Sequence, residues 1–145
     1  MTKDSDKDDT VTVEGNCHCN AIKFKCTVPK VVSVYRCNCT ICEMKQNHHF
    51  VCQKKDFQWL SGQDKVTTYQ FGEKIAIHMF CSVCGVQAFY QPRSNPDCYG
   101  VTIYCVRDYD EVFEKVEWKD FDGKNWEDTI KTSDITKWSG DGAAK

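Results

Sequence analysis

The sequence predicts a mainly-β domain, and three observations carry that prediction. Apolar and polar residues alternate with period two through much of the chain, and turn residues recur between the alternating stretches. In addition, seven of the eleven cysteines fall into three tight clusters, which points to a fold tied together by metal. A chain of 145 residues suits one domain with a real hydrophobic core.

Taken in order, residues 1–10 are Asp, Lys, Ser and Thr-rich and read as a disordered polar tail; the domain spans 11–138, and 139–145 read as a flexible end. From Ala21 to Val28, Ile22, Phe24, Cys26 and Val28 alternate with Lys23, Lys25 and Thr27, the pattern of a half-buried strand, which Pro29 ends. Val31 to Cys39 is a second strand, whose odd positions Val31, Ser33, Tyr35, Cys37 and Cys39 share one face. Further strands are expected at His49 to Cys52, Phe57 to Ser61, Val66 to Phe71, Ile75 to Phe80, Val86 to Gln91, Gly100 to Cys105 and Lys115 to Phe121. Ser61-Gly62, Phe71-Gly72-Glu73, Ser94-Asn95-Pro96 and Asp122-Gly123 supply the turns between them. One short helix is expected from about Asn125, with Trp126 and Ile130 four apart and Lys131 near its end; a helical turn is expected at Ile41 to Gln46.

The cysteine clusters carry the chemistry. Cys17 and Cys19 form one pair and Cys81 and Cys84 another, while Cys37, Cys39 and Cys42 form a triplet. Two pairs make four thiolates, the number a closed structural zinc site needs; a triplet leaves one tetrahedral position open. Disulfides are the competing reading. Eleven is odd, and no apolar stretch follows Met1, so a non-secreted, cytoplasmic or nuclear protein is expected, where thiolate clusters bind metal. Cys26, Cys52, Cys98 and Cys105 stand outside the clusters and are expected to be free thiols.

Cys81-Ser-Val-Cys84-Gly85 has the form of a zinc knuckle, with Gly85 able to take the positive φ of its turn. His78 lies three residues before Cys81, so a His78, Cys81 and Cys84 trio is an alternative that would leave Cys17 and Cys19 to the triplet. Its place on an alternating strand favours a structural histidine. His48 and His49 are adjacent on a strand, so at most one faces the triplet.

The net charge is −2 and no basic block occurs, so no strong nucleic-acid signal is present, and no segment suggests a membrane anchor.

Taken together, Gly15-Asn16-Cys17-His18-Cys19, Cys37-Asn38-Cys39-Thr40-Ile41-Cys42 and Phe80-Cys81-Ser82-Val83-Cys84-Gly85-Val86-Gln87 resemble the glutathione-dependent formaldehyde-activating enzyme family. Gln46-Asn47-His48-His49-Phe50, Thr67-Thr68-Tyr69 and Tyr90-Gln91-Pro92-Arg93-Ser94-Asn95-Pro96 are similar to its eukaryotic branch, which includes centromere protein V. The resemblance implies an Mss4-like zinc-binding β fold. It also implies two zinc ions, a structural one on Cys17, Cys19, Cys81 and Cys84 and a catalytic-type one on Cys37, Cys39 and Cys42. The activity implied is that of a carbon–sulfur lyase acting on S-hydroxymethylglutathione or a related thiol adduct, with glutathione as the small-thiol partner. Glutathione carries two carboxylates, so Arg93 and His49 are candidates for its pocket. The alternative is a non-enzymatic, zinc-stabilised module that recruits a protein partner.

Overall fold

Ten strands dominate residues 9–140, the part of the chain that the computed structural model describes. In chain order the elements are β1 (Thr10–Asn16), β2 (Lys23–Pro29), β3 (Val31–Cys37), α1 (Thr40–Lys45), β4 (His48–Gln53), β5 (Phe57–Ser61), β6 (Val66–Tyr69), β7 (His78–Cys81), β8 (Phe89–Tyr90), β9 (Cys98–Thr102), α2 (Tyr109–Val112), β10 (Lys115–Phe121) and α3 (Trp126–Thr132). Short 3-10 turns link several of them, the last at Ile135–Trp138. The architecture is mainly β with a short C-terminal helix, as the patterning predicts.

Strands β1, β2 and β5 form an antiparallel sheet with β2 in the middle. A five-stranded sheet follows the order β10-β3-β4-β9-β8, antiparallel except for the parallel β10–β3 pair, and β6 and β7 form a separate ribbon. Period two decides what each face does. On β2, Phe24, Cys26 and Val28 are buried; they pack with Val32 and Val34 of β3, Phe50 and Cys52 of β4, and Val101 of β9. Aromatic rings fill the middle: Phe57 stacks on Phe24 at 5.2 Å and meets Phe89 edge-on at 4.8 Å.

The opposite face of the five-stranded sheet carries a second core of Tyr35, Val51, Cys98, Phe121 and Ile135, covered by Trp126, Ile130 and Trp138. Tyr35 Oη donates to Asp134 Oδ1 at 2.8 Å and accepts from Trp138 Nε1 at 2.8 Å, which straps the C-terminal segment to β3. The odd positions of β3 therefore point towards α3, and Cys37 ends that row.

Several boundaries differ from the sequence expectation for identifiable reasons. Thr10, assigned to the tail by composition, pairs with Pro29 in β1, an unanticipated strand whose Val13 is buried on the core side. The rest of the expected N-terminal tail, 1–8, and positions 141–145 lie outside the described residues. Ser139 and Gly140, assigned to the C-terminal end, are hydrogen-bonded to Asn95 and Asp97, partners that composition cannot show. Strand β3 stops at Cys37, because Cys39 is the N-cap of α1. The strand expected over Val86 to Gln91 shrinks to Phe89–Tyr90: Val86 O accepts from Cys81 N of the knuckle, and Gln87 O accepts from the Thr102 hydroxyl and not from a backbone N–H. The last turn of the expected Gly100 to Cys105 strand is a 3-10 turn, Ile103–Cys105.

Candidate functional site

Four sulfurs converge where the end of β1 meets the end of β7. Cys17 and Cys19 follow β1, Cys81 closes β7 and Cys84 lies in the turn beyond; their ligating atoms all lie within 4.8 Å of one another. Cys17 Sγ is 3.7 Å from Cys19 Sγ, which is 3.6 Å from Cys81 Sγ. A tetrahedron with zinc–sulfur bonds of about 2.3 Å has edges of about 3.8 Å, whereas a disulfide needs about 2.05 Å. The group thus fits a zinc ion and excludes a bridge. Backbone N–H groups of Ile22 and Val83 reach Cys17 Sγ and Cys81 Sγ at 3.3 Å each, contacts that favour thiolates. Gly85, with φ 77°, closes the knuckle by donating to Cys81 O.

His78 is not in that group. Its ring is buried between Phe71, at 5.7 Å, and Tyr90, at 5.2 Å, both stacked.

The triplet forms at the end of β3. Cys37 is the last residue of the strand, Cys39 caps α1 and Cys42 lies in its first turn, so strand end and helix start bring all three sulfurs within 4.8 Å. Among the described residues no fourth His, Cys, Asp or Glu joins them. Three thiolates fit a zinc ion with one position left free. Cys39 N donates to Cys37 Sγ at 3.5 Å, and of the three thiols Cys39 is the one whose ionised form its neighbours favour. The Cys37 and Cys42 thiols, with the Cys42 and Ile41 N–H groups at the helix start, outweigh burial and pull Cys39 down to about 2. Cys37 is pushed up to about 11 chiefly by Cys39, and Cys42 is pushed up by Cys37, Cys39 and burial.

Three neighbours hold this cluster. Asn47 Nδ2 donates to Cys42 Sγ at 3.5 Å. Asn38 donates to Asp122 Oδ1 and accepts from Lys124 N, pinning the 122–124 turn against the sulfurs. Gly123 sits in that turn, and a Cβ there would stand 2.5 Å from Cys37 Sγ and 2.7 Å from Cys39 Cβ.

The triplet opens onto a cavity of about 580 Å³, within the range of small-molecule sites. His49, His78, Tyr90 and Arg93 line it with the three cysteines. His49 is 2% exposed; burial lowers its pKa to about 4, so it offers a hydrogen bond and not a cation. Its Nε2 lies 3.3 Å from Tyr90 Oη, while its Nδ1 has no partner. His48 faces the other way, its Nδ1 2.9 Å from Tyr104 Oη, as the alternation requires.

Arg93 lies over the Trp126 ring at 3.6 Å. Its Nη2 contacts Glu127 Oε1 at 2.7 Å and Glu73 Oε2 at 3.7 Å, while its Nε is buried without a partner. The sequence singled out Arg93 and His49 but not Tyr90, Trp126, Phe71 or Gly123. Nothing in the spacing of those four marks them, since each reaches the site from a different element.

A family model described as glutathione-dependent formaldehyde-activating enzyme matches residues 12–120. The chain belongs to that family. The crystal structure of a Rhodobacter sphaeroides protein is similar to it at 29% identity and a TM-score of 0.61, over 73% of this chain and 99% of that one. The cysteine clusters of this glutathione-dependent formaldehyde-activating family member are compatible with an Mss4-like zinc-binding fold. All seven clustered cysteines and Arg93 fall inside the family match; Trp126 and Glu127, which hold Arg93, lie beyond it. Among the described residues no helix is long and apolar enough to cross a membrane.

Proposed function

We propose that the chain is a zinc-dependent carbon–sulfur lyase-type enzyme acting on S-hydroxymethylglutathione or a related thiol adduct. In this reading Cys17, Cys19, Cys81 and Cys84 hold a structural zinc, and Cys37, Cys39 and Cys42 hold a second zinc. The observation that carries it is the open triplet: three sulfurs with no fourth protein ligand among the described residues, facing a cavity large enough for a peptide-sized thiol. When bound there, zinc supplies a Lewis-acidic position that keeps an incoming sulfur ionised and nucleophilic.

The protein's own groups bind and orient. Arg93 is held flat by Trp126 and Glu127, and a substrate carboxylate takes the place of the looser Glu73. In adduct formation the sulfur attacks the carbonyl carbon, the C=O electron pair moves to oxygen, and oxygen takes a proton. In the reverse direction the hydroxyl loses that proton, C=O re-forms and the C–S pair returns to sulfur. Tyr90 Oη and His49 Nε2, hydrogen-bonded in the cavity wall, give that hydroxyl a partner for its proton.

The test is adduct formation from glutathione and carbon-labelled formaldehyde, followed by NMR and corrected for the spontaneous reaction. Wild type is expected to exceed background and Cys39→Ser to fall to it while keeping its fold. A wild type that gives no rate above background, with a metal site unperturbed by glutathione, favours the non-enzymatic module instead.

A further inference from the structure

A second cleft, of about 750 Å³, meets the first at Ile41 of α1, which lines both. Its walls come from the flanks of the two cysteine clusters. Lys45 and Asn47 follow the triplet; Phe80 and Gln87 flank the knuckle; Tyr69 and Tyr104 complete an aromatic surround.

Two polar groups in this cleft are incompletely complemented. Lys45 Nζ donates to the neutral Gln87 Oε1 at 2.6 Å, and no carboxylate among the described residues lies within ion-pair distance of it. Packing around the ammonium lowers its pKa below the ordinary lysine value, and the Cys42 thiolate nearby offsets that only in part. Asn47 is 3% exposed; its Nδ2 is engaged by Cys42 Sγ, and its Oδ1 has no partner at all. Buried acceptors are rarely left this way in the absence of a ligand or water. Tyr69 and Tyr104, meanwhile, are each half exposed, and so present ring surface that the protein itself does not cover.

A cation without a carboxylate partner, an unpaired acceptor and aromatic walls define a complementary molecule. We propose that this cleft is a second ligand site, for a small aromatic carboxylate that carries its own N–H donor. The carboxylate pairs with Lys45 Nζ, the N–H donates to Asn47 Oδ1, and the ring packs among Tyr69, Phe80 and Tyr104. The site is separate from the thiol cavity and does not rest on the lyase reading. The competing explanation of Lys45 is that it balances the anionic triplet metal, and the test separates the two.

Indoleacetate is the probe and indoleacetamide its uncharged counterpart, each titrated into the zinc-loaded full chain and followed by amide NMR. The expected result is saturable shifts centred on Lys45, Asn47, Phe80 and Gln87, with the amide form bound at least tenfold more weakly. Lys45 is exposed, so Lys45→Met is expected to keep its melting temperature and metal content while losing at least tenfold in indoleacetate affinity. Tyr104→Ala is expected to weaken the probe as well, and saturating glutathione to leave it bound. The proposal is overturned by absence of saturable shifts at those amides, or by equal binding of acid and amide. It is overturned too by a Lys45→Met protein that binds indoleacetate as wild type does; if that variant also loses metal, Lys45 is the counter-ion of the triplet.

Discussion

Replacing Gly123 with alanine tests how closely the 122–124 turn is built against the triplet. The added Cβ would stand 2.5 Å from Cys37 Sγ, 2.7 Å from Cys39 Cβ and 3.0 Å from Cys39 N. Ordinary carbon contacts lie at about 3.5–4.0 Å, so the intrusion is roughly 1 Å on three sides. Cys39 N and Cβ are held by the start of α1, and Cys37 Sγ can turn aside only by leaving the triplet, because its backbone is fixed in the β10–β3 pairing. Gly123 does not occupy the left-handed region, so the effect is steric and not conformational. Overpacking of this kind costs about 1–3 kcal/mol. For a chain of this size that is a fall of roughly 2–12 °C in melting temperature. The displacement falls on Cys37 Sγ and on the Cβ that carries Cys39 Sγ, so on the proposed two-zinc reading the triplet is expected to lose its metal while the four-cysteine site keeps its own. Thermal melting combined with metal stoichiometry measures both. A Gly123→Ala protein that melts with wild type and retains the wild-type metal content would refute the reasoning.

Other expectations follow from the same geometry. Cys81→Ser removes one of four converging sulfurs from a site that joins β1 to β7, and is expected to leave the protein insoluble or partly unfolded; circular dichroism and zinc content check it. Burial pushes Asp134 up, but Lys119, Tyr35 and Lys137 outweigh it and hold the carboxyl at about 2. A depressed folded-state pKa means stability that is present above the unfolded carboxylate value of about 3.9 and is lost as pH falls towards 2. Asp134→Asn is therefore expected to be less stable than wild type in urea at neutral pH and to converge with it near pH 2, and a constant gap across that range would contradict the assignment. Cys26, Cys52, Cys98 and Cys105 are expected to alkylate as free thiols after unfolding without reductant, and a bridge among them by mass spectrometry would overturn that reading.

Much of the architecture was legible because period two is a local signal. The alternation in Ala21 to Val28 marks the same side chains, Phe24, Cys26 and Val28, that the first core buries. The expected strands at Phe57 to Ser61 and Lys115 to Phe121 match β5 and β10 end to end. Alternation failed where carbonyls are taken by groups outside the ladder, as at Val86, whose O accepts from Cys81 N of the knuckle, and Gln87, whose O accepts from the Thr102 hydroxyl. It also failed at β1, where a run of polar residues outweighed the Val11 and Val13 signal.

The sequence by itself determined three local clusters of thiols, because cysteines two or three residues apart must emerge close together in a strand end or a turn; only the tertiary structure joined Cys17 and Cys19 to Cys81 and Cys84 and not to the triplet. It equally separated His48 from His49, since neighbouring strand residues point to opposite faces. Tertiary structure alone decided what surrounds the triplet. Tyr90 reaches it from β8, Trp126 and Glu127 from α3, Phe71 from the β6–β7 loop and Gly123 from the turn after β10. No local pattern encodes these meetings, because each depends on which sheet face two distant elements share. The pairing of β10 with β3 and the strap from Tyr35 to Asp134 and Trp138 bring the C-terminal segment over the strand that ends in Cys37.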